Sequence, residues 1–180
     1  MSAALSARTV RRADRLDSVR ALQRVLYRSA KQDPQRRFHA LWDKVARSDV
    51  MWRAWCDVAA NRGAPGVDGV RIAEVEAGGV ESVRAFLDEL AETVRLGSYR
   101  PAPLRRVHIP KPGRPGQTRP LGIPAVGDRV VMAAAKIVLE PIFEADFRPC
   151  SYGFRPNRRA HDAIAEIQHF TSRGYEWVLE

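Results

Sequence analysis

The stretch of residues 105–123 limits the fold more than any other part of this 180-residue chain. Apolar and polar side chains alternate over residues 105–110, with the period of two that is typical of a half-buried strand. The PGRPGQ segment that follows is rich in glycine and proline, so the chain reverses there. Residues 119–123 would return antiparallel, at a sheet edge because Pro120 and Pro124 cannot donate to a ladder. The sequence therefore predicts a basic β-hairpin.

Most of the remaining chain is predicted to be helical. Three successive alanines and their apolar neighbours leave little polar surface between Asp128 and Phe143, so this helix should be the buried hub of the fold. We expect the positive end of the helix dipole to stabilise the Asp128 carboxylate, and we expect Asp128 to pair with a neighbouring arginine. Arg129 is likewise interpreted as part of an ion pair. Five further helices are predicted. The first covers about residues 15–28, the second runs from an Asp33–Pro34 cap to Val45, and the third runs from Ser48 or Asp49 to Asn61. The fourth covers Val80–Val94 with Gly97 as its C-cap, and the fifth runs from an Asn157 cap to Gly174, before a strand that begins at Trp177.

The GAPGVDG segment at residues 63–69 is too rich in glycine and proline for a helix or strand. It is predicted to be an exposed loop. Two interpretations remain open, a simple linker turn and a nucleic-acid contact, because backbone amides next to glycine can approach phosphates closely.

Composition favours a polyanionic partner. The net charge is +9 with a pI near 10.3, and arginine supplies nearly all of the positive charge. Nucleic acid is the leading partner, and a generally basic soluble protein is the alternative. Cys56 and Cys150 are far apart, which fits a reducing cytoplasm, and no segment has the length of a signal peptide core or a membrane span. A mitochondrial transit peptide remains an alternative for the arginine-rich start.

Four motifs in order, IPKP, RPLGIP, a DRVV helix ending in LEPIF, and SYGFRP, resemble group II intron reverse transcriptases over residues 26–180. The resemblance implies an α+β fold, mostly helical with an antiparallel β-hairpin, that forms the N-terminal extension and fingers of a right-hand polymerase. We expect a mobile tail at 1–12, a helical extension at 13–69 and the fingers at 70–180, truncated at the start of the palm.

The same resemblance implies roles for individual cations. Lys111 in IPKP and Arg119 in RPLGIP match positions that hold the triphosphate of an incoming nucleotide. The 63–69 loop matches a segment that lies over the template strand. Template or intron RNA backbone is expected to contact a larger set of arginines, namely Arg105, Arg106, Arg114, Arg155, Arg158 and Arg159.

Catalysis in this family uses paired palm aspartates that hold Mg²⁺. We expect no catalytic residue and no metal site in residues 1–180, and therefore no primer extension by this chain alone. His39, His108, His161 and His169 lack metal-ligand spacing. The expected partners are RNA, an RNA/DNA primer duplex and a deoxynucleoside triphosphate, with self-association through the palm-facing surface and no membrane. The alternative is a non-catalytic RNA-binding remnant or a domesticated protein.

Overall fold

The computed structural model describes the backbone of residues 2–177 and the side chains of residues 17–177. This part of the chain is α+β and mostly helical, with one antiparallel hairpin, as predicted. In chain order the elements are α1 (Ser2–Gln32), α2 (Trp42–Val45), α3 (Ser48–Ala60), α4 (Ile72–Glu76), α5 (Gly79–Arg95), β1 (Arg105–Pro110), β2 (Thr118–Ile123), α6 (Val126–Asp146) and α7 (Ala160–Thr171).

Helix α6 is the hub of the core, as its composition predicts. It packs against α1 and α3, and Val126, Val130 and Val138 on its inner face are fully buried. One hydrophobic cluster joins these side chains to α1, α3 and α5. The cluster therefore draws on both sides of the boundary that we predict at residue 69, and the subdomain division itself stays a prediction.

A proline inside α6 ties this helix to α1. Pro141 has no N–H, so the carbonyl of Ile137 one turn earlier loses its usual helical donor. The side-chain amide Nε2 of Gln23 on α1 donates to that carbonyl oxygen at 3.2 Å. Near the end of α6, Lys31 Nζ donates to the Ala145 carbonyl at 3.1 Å. Two polar links thus hold α1 along α6 in addition to their apolar contact.

Several helix boundaries follow the sequence signals closely. The third helix spans Ser48–Ala60, and α5 is followed by Gly97 at φ +66°, the left-handed conformation that often ends a helix. The hairpin pairs in the predicted antiparallel sense, with Arg105 opposite Ile123 and Pro110 opposite Thr118. Local rules therefore suffice where a clear apolar period meets a clear stop signal.

Other boundaries differ from the prediction. The Asp33–Pro34 pair starts a turn and not a helix, because the Asp33 side chain accepts from Gln35 N at 3.0 Å and its carbonyl accepts from Arg36 N. Asn157 adopts φ +58°, and Arg159 is the residue that precedes α7. Helix α4 was not predicted. Helix α1 begins at Ser2, earlier than its periodicity indicates, and the strand predicted from Trp177 extends into residues 178–180, outside the described residues.

No helix in the described part of the chain is long and apolar enough to cross a membrane.

Candidate nucleotide and RNA interface

The register of the hairpin places Lys111 and Arg119 on one face. Arg119 lies opposite Ile109, and the Lys111 amide extends the ladder by donating to the Gln117 carbonyl at 2.9 Å. Since alternate residues share a face, Lys111 lies on the side of Ile109 and is the diagonal neighbour of Arg119. Diagonal neighbours in an antiparallel pair are about 7–8 Å apart. Two cationic side chains can therefore reach one multiply charged group.

The other cations of the hairpin divide between its faces. Arg105 shares the face of Lys111 at the far end of β1, roughly 20 Å away at the rise of an extended strand. Arg106 lies on the opposite face and is exposed. Arg114 stands at the tip of the connection, where its amide donates to the Lys111 carbonyl. The structure thus brings Lys111 and Arg119 together and leaves the three arginines apart.

The coil that leads into β1 is fixed to the start of α6 by Asp128. This carboxylate is only 7% exposed, and it accepts from the Tyr99 hydroxyl and from the Ala102 amide, the latter at 3.1 Å. Burial and then the Asp128 carboxylate raise the pKa of the Tyr99 hydroxyl well above its usual range. The predicted pairing of Asp128 with an arginine is wrong: a phenol and a backbone amide satisfy the carboxylate.

The 63–69 loop is fixed to the same end of α6 by Arg129. One guanidinium nitrogen of Arg129 donates to the Ala64 carbonyl at 2.7 Å, so its partner is backbone and not an acidic side chain. Gly66 is buried against the chain that leaves the hairpin, and a Cβ there would come within 2.5 Å of the Ala125 Cα. The loop is therefore exposed along most of its length, as predicted, but it is docked and not a free linker.

The coil after α6 is organised around Arg155. Its side chain is only 5% exposed, and its two-pronged ion pair with Glu144 has N–O distances of 3.0 and 2.6 Å. The same guanidinium donates to the Arg148 and Ser151 carbonyls and lies over the Phe147 ring. The hydrogen bond from Arg155 lowers the pKa of Glu144. Arg155 therefore supports the coil, and its contact with RNA stays a prediction.

Arg158 and Arg159 follow on the same coil, where Arg158 is half-buried and Arg159 is exposed. Arg158 lies over the Tyr152 ring at 5.2 Å and donates one bond to the Pro149 carbonyl at 3.1 Å. Arg159 is exposed at the start of α7, where its amide is capped by the Asp162 carboxylate at 2.9 Å. An arginine stacked on tyrosine next to an exposed arginine is an arrangement that suits a phosphate backbone.

An apolar surface adjoins this basic coil. Helix α7 buries none of its residues, and Ile164 and Ile167 are each about 60% exposed on one side of it. Phe154 is fully exposed at φ +58°, and Trp177 is 98% exposed. Exposed apolar side chains were expected where a palm would pack, and both that location and the self-association inferred from it stay predictions.

Sequence reasoning missed the three residues that fix the surroundings of the hairpin and the coil, namely Tyr99, Glu144 and the backbone role of Arg129. No short motif marks them, because each acts on a partner that is distant in sequence. A signal was present only for Asp128, an acid near the start of an otherwise apolar helix. No cluster of three or more histidine, cysteine or acidic side chains that could hold a metal occurs among the described residues.

The fold and the site define a basic α+β protein that carries arginines on a β-hairpin and on the coil after the hub helix. No protein-family model matches the chain. It is 39% identical to Protein YkfC of Escherichia coli over 165 residues, which are 88% of this chain and 42% of that protein. It is 32% identical to Group II intron-encoded protein LtrA of Lactococcus lactis subsp. cremoris over 143 residues, 79% of this chain and 23% of that protein.

A shorter match links the chain to Nuclear intron maturase 1, mitochondrial, of Arabidopsis thaliana, at 42% identity over 57 residues, which are 32% of this chain and 8% of that protein. The resemblance inferred from the motifs is confirmed: the chain is a homologue of group II intron-encoded proteins and intron maturases. It spans less than half the length of the two relatives with the longest matches quoted above.

Proposed function

We propose that this chain acts in RNA-directed DNA synthesis at group II introns, as the fingers and N-terminal extension that hold template RNA and the incoming deoxynucleoside triphosphate. The observation that carries the proposal is the register of the hairpin, because it sets Lys111 and Arg119 side by side on one face. Two cations at this spacing can neutralise the negative charge of one triphosphate. That charge increases on the leaving group during nucleotidyl transfer. The relationship to LtrA supports an RNA partner and a role in intron mobility or splicing.

The family resemblance implies Mg²⁺ held by paired carboxylates, and residues 17–177 contain no group of three potential ligands. Under this proposal, Lys111 and Arg119 hold substrate. The primer duplex is a further partner under this proposal.

Nucleotide binding tests the proposal directly. A fluorescent deoxynucleoside triphosphate is titrated into the chain, with the matching monophosphate as reference. The triphosphate should bind more tightly, and Lys111→Ala or Arg119→Ala should each weaken it about fivefold, since an exposed charge contact is worth about 1 kcal/mol. Arg114→Ala is the matched control, because it removes one positive charge from the turn that joins the two strands.

Two outcomes contradict the nucleotide site. Equal affinity for triphosphate and monophosphate would remove the reason for placing a triphosphate between Lys111 and Arg119. Equal loss in all three variants would show a general charge effect. RNA binding that persists in either case would support the alternative, an RNA-binding protein without a nucleotide site.

A further inference from the structure

A cleft of about 900 Å³ lies on the side of the chain where α3, the start of the 63–69 loop and α4 meet. Trp52 and Trp55 of α3 line its apolar part. Its exposed rim carries Arg62 and Arg71, and Glu76 at the end of α4. Glu76 and both tryptophans also line an adjoining smaller cleft, so these three residues take part in both openings. Aromatic, cationic and anionic side chains thus line one opening.

The aromatic wall is rigid. Trp55 is 4% exposed and packs edge to face on Phe86, with ring centroids 5.8 Å apart. Trp52, one turn earlier on the same helix, is half-buried and also lines the cleft. A half-buried indole on a fixed helix provides a stacking surface that needs little ordering when a flat ring binds.

The position of Arg62 favours a ligand at the rim. Helix α3 ends at Ala60 with Asn61 as its C-cap, so Arg62 occupies the next position at φ +45°. Glycine is the usual residue there, because a Cβ is strained in the left-handed conformation. An arginine held in this conformation keeps a cation in the lining of the cleft at a cost to the backbone, and such strain is found at functional sites.

The charged side chains at the rim take no part in the ion pairs of the described residues: none of the pairs found among residues 17–177 involves Arg62, Arg71 or Glu76. Two cations against one carboxylate leave a net positive rim, which attracts a phosphate. The Glu76 carboxylate in the lining of the same cleft can accept hydrogen bonds from a bound ring.

We infer that this cleft binds one unstacked nucleotide of single-stranded RNA. The base stacks on Trp52, the flanking phosphates contact Arg62 and Arg71, and Glu76 accepts from an amino group on the base edge. The inference rests on the proposed RNA-binding function and adds to it a base-reading site away from the hairpin. Because Glu76 accepts and cannot donate, a cytosine with its N4 amino group is preferred to a uracil with a carbonyl there.

Short oligocytidine and oligouridine of equal length test the inference in the full chain, since the two pyrimidines differ at the position that Glu76 reads. Oligocytidine should bind more tightly, and Glu76→Gln should bring the two affinities close together. Trp52→Ala should weaken both by roughly tenfold, the loss of one stacked base, and Trp52→Phe should restore most of that loss.

Arg62→Gly separates a binding role from a structural one. Glycine relieves the left-handed strain, so the melting temperature should stay level or rise. RNA affinity should nevertheless fall, and the plot of log affinity against log salt should flatten by about 0.7, the value for one phosphate contact on a single strand. Arg84→Ala on α5 is the matched control, because it removes an exposed arginine that does not line the cleft.

The possible outcomes distinguish a failure of the proposed RNA-binding function from a failure of the cleft alone. A wild-type chain that binds no RNA overturns the proposed function and this inference with it. Wild-type binding that is unchanged by Trp52→Ala, Arg62→Gly and Glu76→Gln overturns only the cleft. Cytidine monophosphate that binds as tightly as oligocytidine would also overturn it, because the ligand would then be a free nucleotide.

Discussion

Replacing Tyr99 by phenylalanine removes one hydroxyl group and keeps the ring. In the folded chain that hydroxyl donates to the Asp128 carboxylate, which is 7% exposed and keeps only the Ala102 amide as a donor after the change. A hydrogen bond to a charged group contributes about 1.5–3 kcal/mol, and an under-satisfied buried acceptor loses a similar amount. The free energy of unfolding should therefore fall by about 1.5–3 kcal/mol, which lowers the melting temperature by roughly 3–12 °C for a chain of this size.

Thermal melts followed by circular dichroism measure this loss. Tyr175→Phe is the matched control: Tyr175 is 66% exposed, so losing its hydroxyl should change stability by less than about 0.5 kcal/mol. A Tyr99→Phe melt that coincides with wild type would refute the assignment of Asp128 and Tyr99 as the link between α6 and the hairpin.

The pH dependence of the same variant has a defined sign. Burial and Asp128 raise the pKa of Tyr99 in the folded chain above the value of about 10 that tyrosine has when unfolded. The contribution of Tyr99 is therefore fully present below about pH 10 and is lost as the pH rises further, because the unfolded tyrosine ionises first. Wild type should lose stability above pH 10 more steeply than Tyr99→Phe, and parallel curves would contradict this.

Three further results are expected. Gly66→Ala should lower the free energy of unfolding by about 1–3 kcal/mol in denaturant titrations, since its Cβ would meet the Ala125 backbone. Gly153→Ala should be neutral, because the position has open space around it, and equal effects of the two changes would contradict the packing of the loop against Ala125. The lowered pKa of Glu144 contributes stability above about pH 4.5 that is lost on further acidification. The melting temperature of Glu144→Gln should therefore vary less with acid pH than that of wild type, and equal acid sensitivity would refute a stabilising role for the Glu144–Arg155 ion pair. Replacing Ile164 and Ile167 by serine should reduce concentration-dependent self-association in sedimentation, and an unchanged profile would place the contact elsewhere.

Periodic signals and turn residues suffice to predict the hairpin and the hub helix. The alternation over residues 105–110 and the PGRPGQ turn act locally, so the register follows from a few neighbouring residues. The Asp33–Pro34 signal fails because the same aspartate can close a turn as readily as it can cap a helix.

The supports of the site could not be predicted in this way. The sequence analysis predicts Arg155 of SYGFRP as an RNA contact and gives no sign of an acidic partner. That partner, Glu144, lies on the preceding helix, and only the folded coil brings the two side chains together. Asp128 is likewise satisfied by Tyr99, 29 residues earlier. Such pairings depend on tertiary geometry, which a composition or spacing argument does not contain.

We propose that the basic surface of the hairpin and of the coil after α6 holds RNA through its phosphates, and filter binding of RNA over a salt series tests this most directly. If about five phosphates are neutralised, log affinity should fall against log salt with a slope of roughly −4. Arg158→Ala with Arg159→Ala should flatten that slope by about 1.5. Arg53→Ala and Arg84→Ala together should leave it nearly unchanged; these arginines lie on α3 and α5, and their side chains are 39% and 61% exposed. A slope near zero, or the same slope in both double variants, would contradict the account.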